Sequence, residues 1–111
     1  MKVVKFGGSS VANAQQISNV LNIFNSDDER RIMIVSAPGK RHSEDTKTTD
    51  LILQLYEKVI DELDYQQQFE RVIDRYADII NHLKMETDLL DDFTLTLHQY
   101  IQSLNINILA C

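Results

Sequence analysis

The sequence predicts an α/β fold: a β–α–β unit followed by about three helices. Three observations carry that prediction. Two short apolar runs, one holding Val3, Val4 and Phe6 and the other Ile32-Met33-Ile34-Val35, each end at a loop containing glycine. A helical pattern lies between them. From residue 51 onward, apolar residues recur at helical spacing. The second run has no polar interruption, which predicts a strand buried on both faces, as in parallel sheets covered by helices.

Each element has a local reason. The first run stops at Gly7-Gly8, where strand geometry is easily broken. Asn13 is placed to cap the following helix, with Gln16 at the capping-box position. Ile17, Val20, Leu21 and Phe24 form that helix's apolar stripe, and Asn25-Ser26-Asp27-Asp28 ends it. The second run stops at Ser36-Ala37-Pro38-Gly39, and the polar residues through Lys47 read as an exposed loop. Leu51, Leu55, Val59 and Leu63 then form one stripe, with Ile52, Tyr56 and Ile60 beside it. Phe69, Ile73, Tyr76, Ile80 and Leu83 form a second. Thr87 or Asp88 can cap a last helix carrying Leu90, Phe93, Leu97, Tyr100, Ile101 and Leu104. These apolar and aromatic residues are expected in the core. Ile106-Asn107-Ile108-Leu109 fits either the start of a strand or a frayed tail.

At 111 residues the chain has the size of one modest domain, and no linker composition marks a boundary. Net charge is −6, unevenly divided: residues 1–49 carry +2 and residues 50–111 carry −8. The acidic half disfavours nucleic acid and anionic membrane partners, which need a basic patch. The single cysteine, Cys111, precludes an internal disulfide. With no apolar segment of signal-peptide or membrane-spanning length, a cytoplasmic location is expected. His42, His82 and His98 lack metal-ligand spacing, so no metal site is expected.

The chemistry concentrates at the two loops. Lys5-Phe6-Gly7-Gly8-Ser9-Ser10-Val11 combines a cation, two glycines and two hydroxyls at a strand end. Gly7 and Gly8 are free to take positive φ and to let backbone approach closely. Backbone N–H groups in such a turn can cradle phosphate, with Lys5 supplying charge and Ser9 and Ser10 further donors. Ser36 follows the second run, and Thr48, Thr49 and Asp50 return at the next helix start. Both loops lie at the carboxyl ends of strands expected to be parallel, the edge where open α/β sheets bind ligands. Thr48 and Thr49 also have a structural explanation as helix caps, and Asp50 suits a first helical turn. Lys40 and Arg41 fit either a solvated loop pair or a pair that reaches phosphate.

In these two blocks the chain resembles the aspartate kinases of the amino-acid kinase superfamily. Lys5-Phe6-Gly7-Gly8-Ser9-Ser10-Val11-Ala12 is similar to the N-terminal signature of that family, with Ser9 where threonine is common. Val35-Ser36-Ala37-Pro38-Gly39-Lys40-Arg41, with Thr46-Lys47-Thr48-Thr49-Asp50-Leu51, is similar to its second block. The resemblance implies the N-terminal part, residues 1–111, of a carbamate kinase-like three-layer αβα catalytic domain with a mainly parallel sheet. It implies transfer of the ATP γ-phosphoryl to the side-chain carboxylate of L-aspartate, opening lysine, threonine and methionine biosynthesis. ATP and L-aspartate are the implied partners, with Mg²⁺ accompanying ATP. Lys5 becomes the catalytic cation; Lys5, Gly7, Gly8 and Ser9 the phosphate ligands; Ser36 and Thr49 the aspartate ligands. The family's later Gly-Glu pair, arginine, aspartate, base pocket and regulatory domains, through which it usually oligomerises, have no counterpart here. The chain is therefore expected to be a truncated form, inactive alone. Two alternatives stay open: a related kinase with another small acceptor, and a non-catalytic interaction module.

Overall fold

The computed structural model describes residues 1–110, with side chains described through Leu104. Its elements are β1 (Lys2–Phe6), a 3₁₀ turn (Gly8–Val11), α1 (Ala14–Asn25), β2 (Arg30–Val35), α2 (Thr48–Ile60), α3 (Gln66–His82) and α4 (Thr87–Ala110). They form two compact units, Met1–Thr49 and Asp50–Cys111. No linker composition announces this division, because α2 runs straight through the junction.

In the first unit β1 and β2 pair in parallel, Val3 opposite Ile32, Val4 opposite Met33, Lys5 opposite Ile34 and Phe6 opposite Val35. The α1 crossover between them is the connection that parallel strands require. Asn13 caps α1 as its sequence position predicts, its Oδ1 accepting from the Gln16 N–H at 2.9 Å. At the other end, Ser26 Oγ donates to the Ile23 carbonyl at 2.7 Å, and the Arg30 guanidinium donates to the same carbonyl. Lys2 Nζ donates to Asp27 Oδ2 at 2.7 Å, tying the start of β1 to the turn before β2. That bond and the Glu29 N–H hold the Asp27 carboxyl below the usual carboxylate range. A carboxylate depressed in this way stabilises the fold above its unfolded pKa and stops doing so as pH falls through its folded one.

The expectation that β2 is buried on both faces is corrected. Ile32, Ile34 and Val35 are 43%, 53% and 53% exposed, and Val3 is 55% exposed. Among the described residues the sheet has two strands. Strand alternation puts Val4, Phe6 and Met33, all half-buried, on one side, and Val3, Lys5, Ile32 and Ile34 on the other. Burial in this unit is concentrated instead at Val11, Ala12 and Val20, where the 3₁₀ turn meets α1.

In the second unit Leu51, Leu55 and Val59 of α2, Phe69 and Val72 of α3 and Ile101 of α4 form one buried cluster. Tyr76 and Phe93 pack with ring centroids 4.6 Å apart, and Phe69 lies against His98 at 4.3 Å. Buried Gln68 donates to the Leu51 carbonyl and to Gln54 Oε1, both at 3.1 Å, so its amide is satisfied inside the core. Several residues expected in the core are corrected. Ile52, Tyr56, Ile60 and Leu63 are exposed, as is Tyr100 at 67%. The buried stripe on α2 is one residue wide at spacing four, and the flanking apolar positions fall outside it. Residues 106–109 are neither strand nor frayed tail, since α4 continues through Ala110; Cys111 lies outside the described residues.

Both inter-helix connections reverse through a left-handed residue without glycine, Glu62 at φ 57° and Lys84 at φ 55°. After α3 the Met85 N–H donates to the Ile80 carbonyl at 3.0 Å, closing the helix end as a Schellman turn does. The β-carbon of a non-glycine residue is strained in that conformation. Lys84→Gly is therefore expected to stabilise the chain by up to about 1 kcal/mol, because relief of αL strain outweighs glycine's entropy cost. Urea unfolding of the two proteins measures it, and a destabilised glycine variant contradicts this account of the turn.

Candidate functional site

The two post-strand loops are joined by backbone. The Ser36 N–H donates to the Phe6 carbonyl at 3.1 Å, extending the sheet register by one bond. Two residues further along the first loop and three along the second, the Gly39 N–H donates to the Gly8 carbonyl at 2.8 Å. The approach is so close that a Cβ on Gly39 would lie 2.7 Å from the Gly8 carbonyl carbon and 3.0 Å from the Ser9 nitrogen. A Cβ on Gly8 would lie 3.2 Å from both the Ala37 oxygen and the Gly39 Cα. Glycine is needed at Gly39, where a Cβ would meet backbone, whereas a Cβ at Gly8 would require the facing backbone to give by a few tenths of an ångström.

Positive φ, the other role anticipated for Gly7 and Gly8, is not used. No glycine in the described chain has positive φ, and Gly7 is extended at φ −75°, ψ 177°. The reason is local: the chain passes from β1 directly into a right-handed 3₁₀ turn, closed by the Ser10 N–H donating to the Gly7 carbonyl at 3.1 Å.

The loop after β2 is closed at its base by Thr48. Its Oγ1 and N–H both donate to the Pro38 carbonyl, at 2.6 and 3.2 Å, and the residue is 1% exposed. Within the loop, Arg41 chelates Asp45: its backbone N–H and Nε reach Oδ2 at 2.9 and 2.7 Å, and Nη2 reaches Oδ1 at 3.0 Å. Arg41 is thus a structural cation. Thr48 is a structural hydroxyl, which leaves Thr49 available to a ligand.

These contacts wall a cleft of about 420 Å³. Gly8 and Ser9 line it from the first loop; Ser36, Ala37, Pro38 and Gly39 from the second; Lys40, Lys47 and Thr49 complete it. Of the six site residues read from the sequence, four meet here: Gly8, Ser9, Ser36 and Thr49. Lys5 and Gly7 are not among the lining. Lys5 is exposed on β1, in register with Ile34 on the sheet face away from α1. Sequence reasoning left Lys40 undecided and gave Lys47 no role of its own. The signal that could have found them is the Arg41–Asp45 spacing of four, which folds the loop between them. The lining holds hydroxyls, amide backbone and two lysines but no carboxylate. It therefore suits an anion and is not built to hold a divalent cation. Among the described residues no group of three or more His, Cys, Asp or Glu could hold a metal, and no helix is long and apolar enough to cross a membrane.

A parallel β–α–β unit whose two post-strand loops wall a cleft of hydroxyls, tight glycine backbone and lysines defines an α/β fold with the chemistry to hold an anion at its strand-end edge. Comparison with known proteins narrows the class. The chain is 43% identical over 91 residues to aspartokinase 3 of Bacillus subtilis, a match covering 82% of this chain and 20% of the relative. It is 34% identical over 104 residues to a chloroplastic bifunctional aspartokinase/homoserine dehydrogenase 2 of Arabidopsis thaliana, covering 92% and 10%. The crystal structure of Clostridium acetobutylicum aspartate kinase superposes with a TM-score of 0.74 at 34% identity, over 96% of this chain and 23% of that one. No family model matches. The chain is similar in sequence and in structure to the aspartate kinases, and it spans about a fifth of the length of the first curated relative it matches. Its parallel two-stranded sheet and helices are consistent with the αβα fold of the family.

The backbone contact makes a contrast between glycines testable. Gly39→Ala forces the two loops apart and is expected to cost about 1–3 kcal/mol, as overpacking does. Gly7→Ala meets nothing within 4 Å and keeps an ordinary φ, so it is expected to be neutral or up to about 1 kcal/mol stabilising. Denaturant unfolding of both variants decides; equal losses contradict the contact as the reason for glycine.

Proposed function

We propose that this chain carries the phosphate and acceptor cleft of an aspartate kinase, an ATP-dependent phosphotransferase with a carboxyl acceptor acting in the cytoplasm. One observation carries the reading: Gly8 and Ser9 from one loop and Ser36 and Thr49 from the other line a single cleft. In the reaction, a side-chain carboxylate oxygen of L-aspartate attacks the γ-phosphorus of ATP. The bond from that phosphorus to the bridging oxygen breaks, and ADP departs, leaving 4-phospho-L-aspartate for the synthesis of lysine, threonine and methionine. Such a transfer depends on positioning and electrostatics more than on covalent help from the protein. Gly7, Gly8 and Ser9 would donate to phosphate oxygens, and Lys5, at the end of β1, would neutralise charge moving in the transition state. Ser36 and Thr49 hydroxyls would orient the acceptor carboxylate.

Mg²⁺, which the family implies, does not fit this lining as a protein-held ion, because no carboxylate faces the cleft. The same shortage leaves the ammonium group of aspartate without a partner here. We infer that turnover needs groups beyond this chain and that the chain alone binds without reacting.

Amide NMR of the ¹⁵N-labelled chain tests both parts. ATP is expected to shift Gly8, Ser9 and Gly39, and L-aspartate is expected to shift Ser36 and Thr49, with no ADP formed when both are present. Aspartate-dependent ADP release by the purified chain contradicts the claim of inactivity. Shifts confined to other residues contradict the site.

A further inference from the structure

Resting on the reading of this cleft as a phosphate site, we propose that Lys40 and Lys47 form a two-cation clamp for the terminal phosphate of a nucleoside triphosphate. Both lysines line the cleft. Their placement follows from the way the loop closes. The two Thr48 bonds to the Pro38 carbonyl join the loop's ends, so Lys40, two residues after Pro38, and Lys47, one before Thr48, are brought to the same lip.

The charge balance of the loop isolates them. The loop carries two carboxylates, Glu44 and Asp45; Arg41 takes both oxygens of Asp45, and Glu44 pairs with neither lysine among the described residues. Among the described residues neither Lys40 nor Lys47 has a carboxylate partner. Elsewhere in the first unit, Lys2 is paired with Asp27 and Glu29. The loop therefore spends its arginine on its own folding and leaves two ammonium groups at a cleft whose other lining is neutral.

Neighbouring like charges without a counter-ion repel each other, and an anion between them relieves that repulsion while gaining charge-assisted hydrogen bonds. The choice of anion also follows from the lining. The acceptor amino acid, oriented by Ser36 and Thr49, brings an ammonium group that two lysines repel, so the lysines are not its natural partners. A terminal phosphate brings several negative oxygens and no cation. Lysine suits this task because its ammonium acts as a flexible point charge on phosphate. Gly8 and Ser9, from the other loop, supply uncharged lining to the same cleft.

Calorimetric titration of the full chain with sodium tripolyphosphate, free of nucleotide and of metal, tests the clamp. Lys40→Gln and Lys47→Gln are each expected to weaken binding about tenfold or more, as loss of a hydrogen bond to a charged group does. Lys40→Arg and Lys47→Arg keep the charge and are expected to stay within about threefold of the unaltered chain. Tripolyphosphate bound equally well by the glutamine variants overturns the clamp while leaving the cleft a phosphate site. Equal weakening by arginine and glutamine marks a structural effect and also overturns it. No binding by the unaltered chain overturns both the clamp and the reading it rests on.

Discussion

The contact between the Gly8 and Gly39 backbones is the constraint on which the functional half of this chain depends. Parallel strands end side by side, but nothing in strand pairing makes the loops beyond them meet. Here the sheet's last bond, from Ser36 to Phe6, is followed by one from Gly39 to Gly8. Side chains are excluded at that point: a Cβ on Gly39 would fall within 3.0 Å of two Gly8 atoms and the Ser9 nitrogen. The cost is the entropy of ordering glycine. In return two loops separated by some thirty residues of chain share one wall, with Ser9 on one side and Ser36 on the other.

A second constraint divides labour among chemically similar residues. Of two adjacent threonines, Thr48 donates to Pro38 and is buried, whereas Thr49 lines the cleft. Of the cations in one short loop, Arg41 is held by Asp45, whereas Lys40 and Lys47 face the cleft. The arginine fork matches a carboxylate geometrically, which makes it the better internal brace, while lysine is the better mobile charge.

What the sequence made legible follows the reach of each signal. Helix periodicity and the Asn13 cap are local, and the helices and strands stand where those signals put them. Four of six site residues converge on the edge where the parallel strands end, a placement that pairing made legible, although the bond from Gly39 to Gly8 that joins the loops there was not. Quantities set by distant partners were not legible. Apolar runs such as Ile32–Val35 say that burial is favourable, not that anything in the two-stranded unit covers the outer face. The glycine reading was half right: Gly8 serves close approach without positive φ, and its partner Gly39 could be seen only once the loops met. Lys47 looked like one more solvated charge, since its position depends on the Thr48–Pro38 closure.

In the function proposed, the glycine-locked cleft of the first unit receives the phosphates. A crystal structure of the chain with a non-hydrolysable ATP analogue measures this directly. Phosphate oxygens are expected within hydrogen-bonding distance of Gly8 and Ser9, with the Lys40 and Lys47 ammonium groups on the terminal phosphate. Phosphates seated instead at the helical unit, for example beside Lys58 and Arg71, which line a separate cleft there, would contradict it.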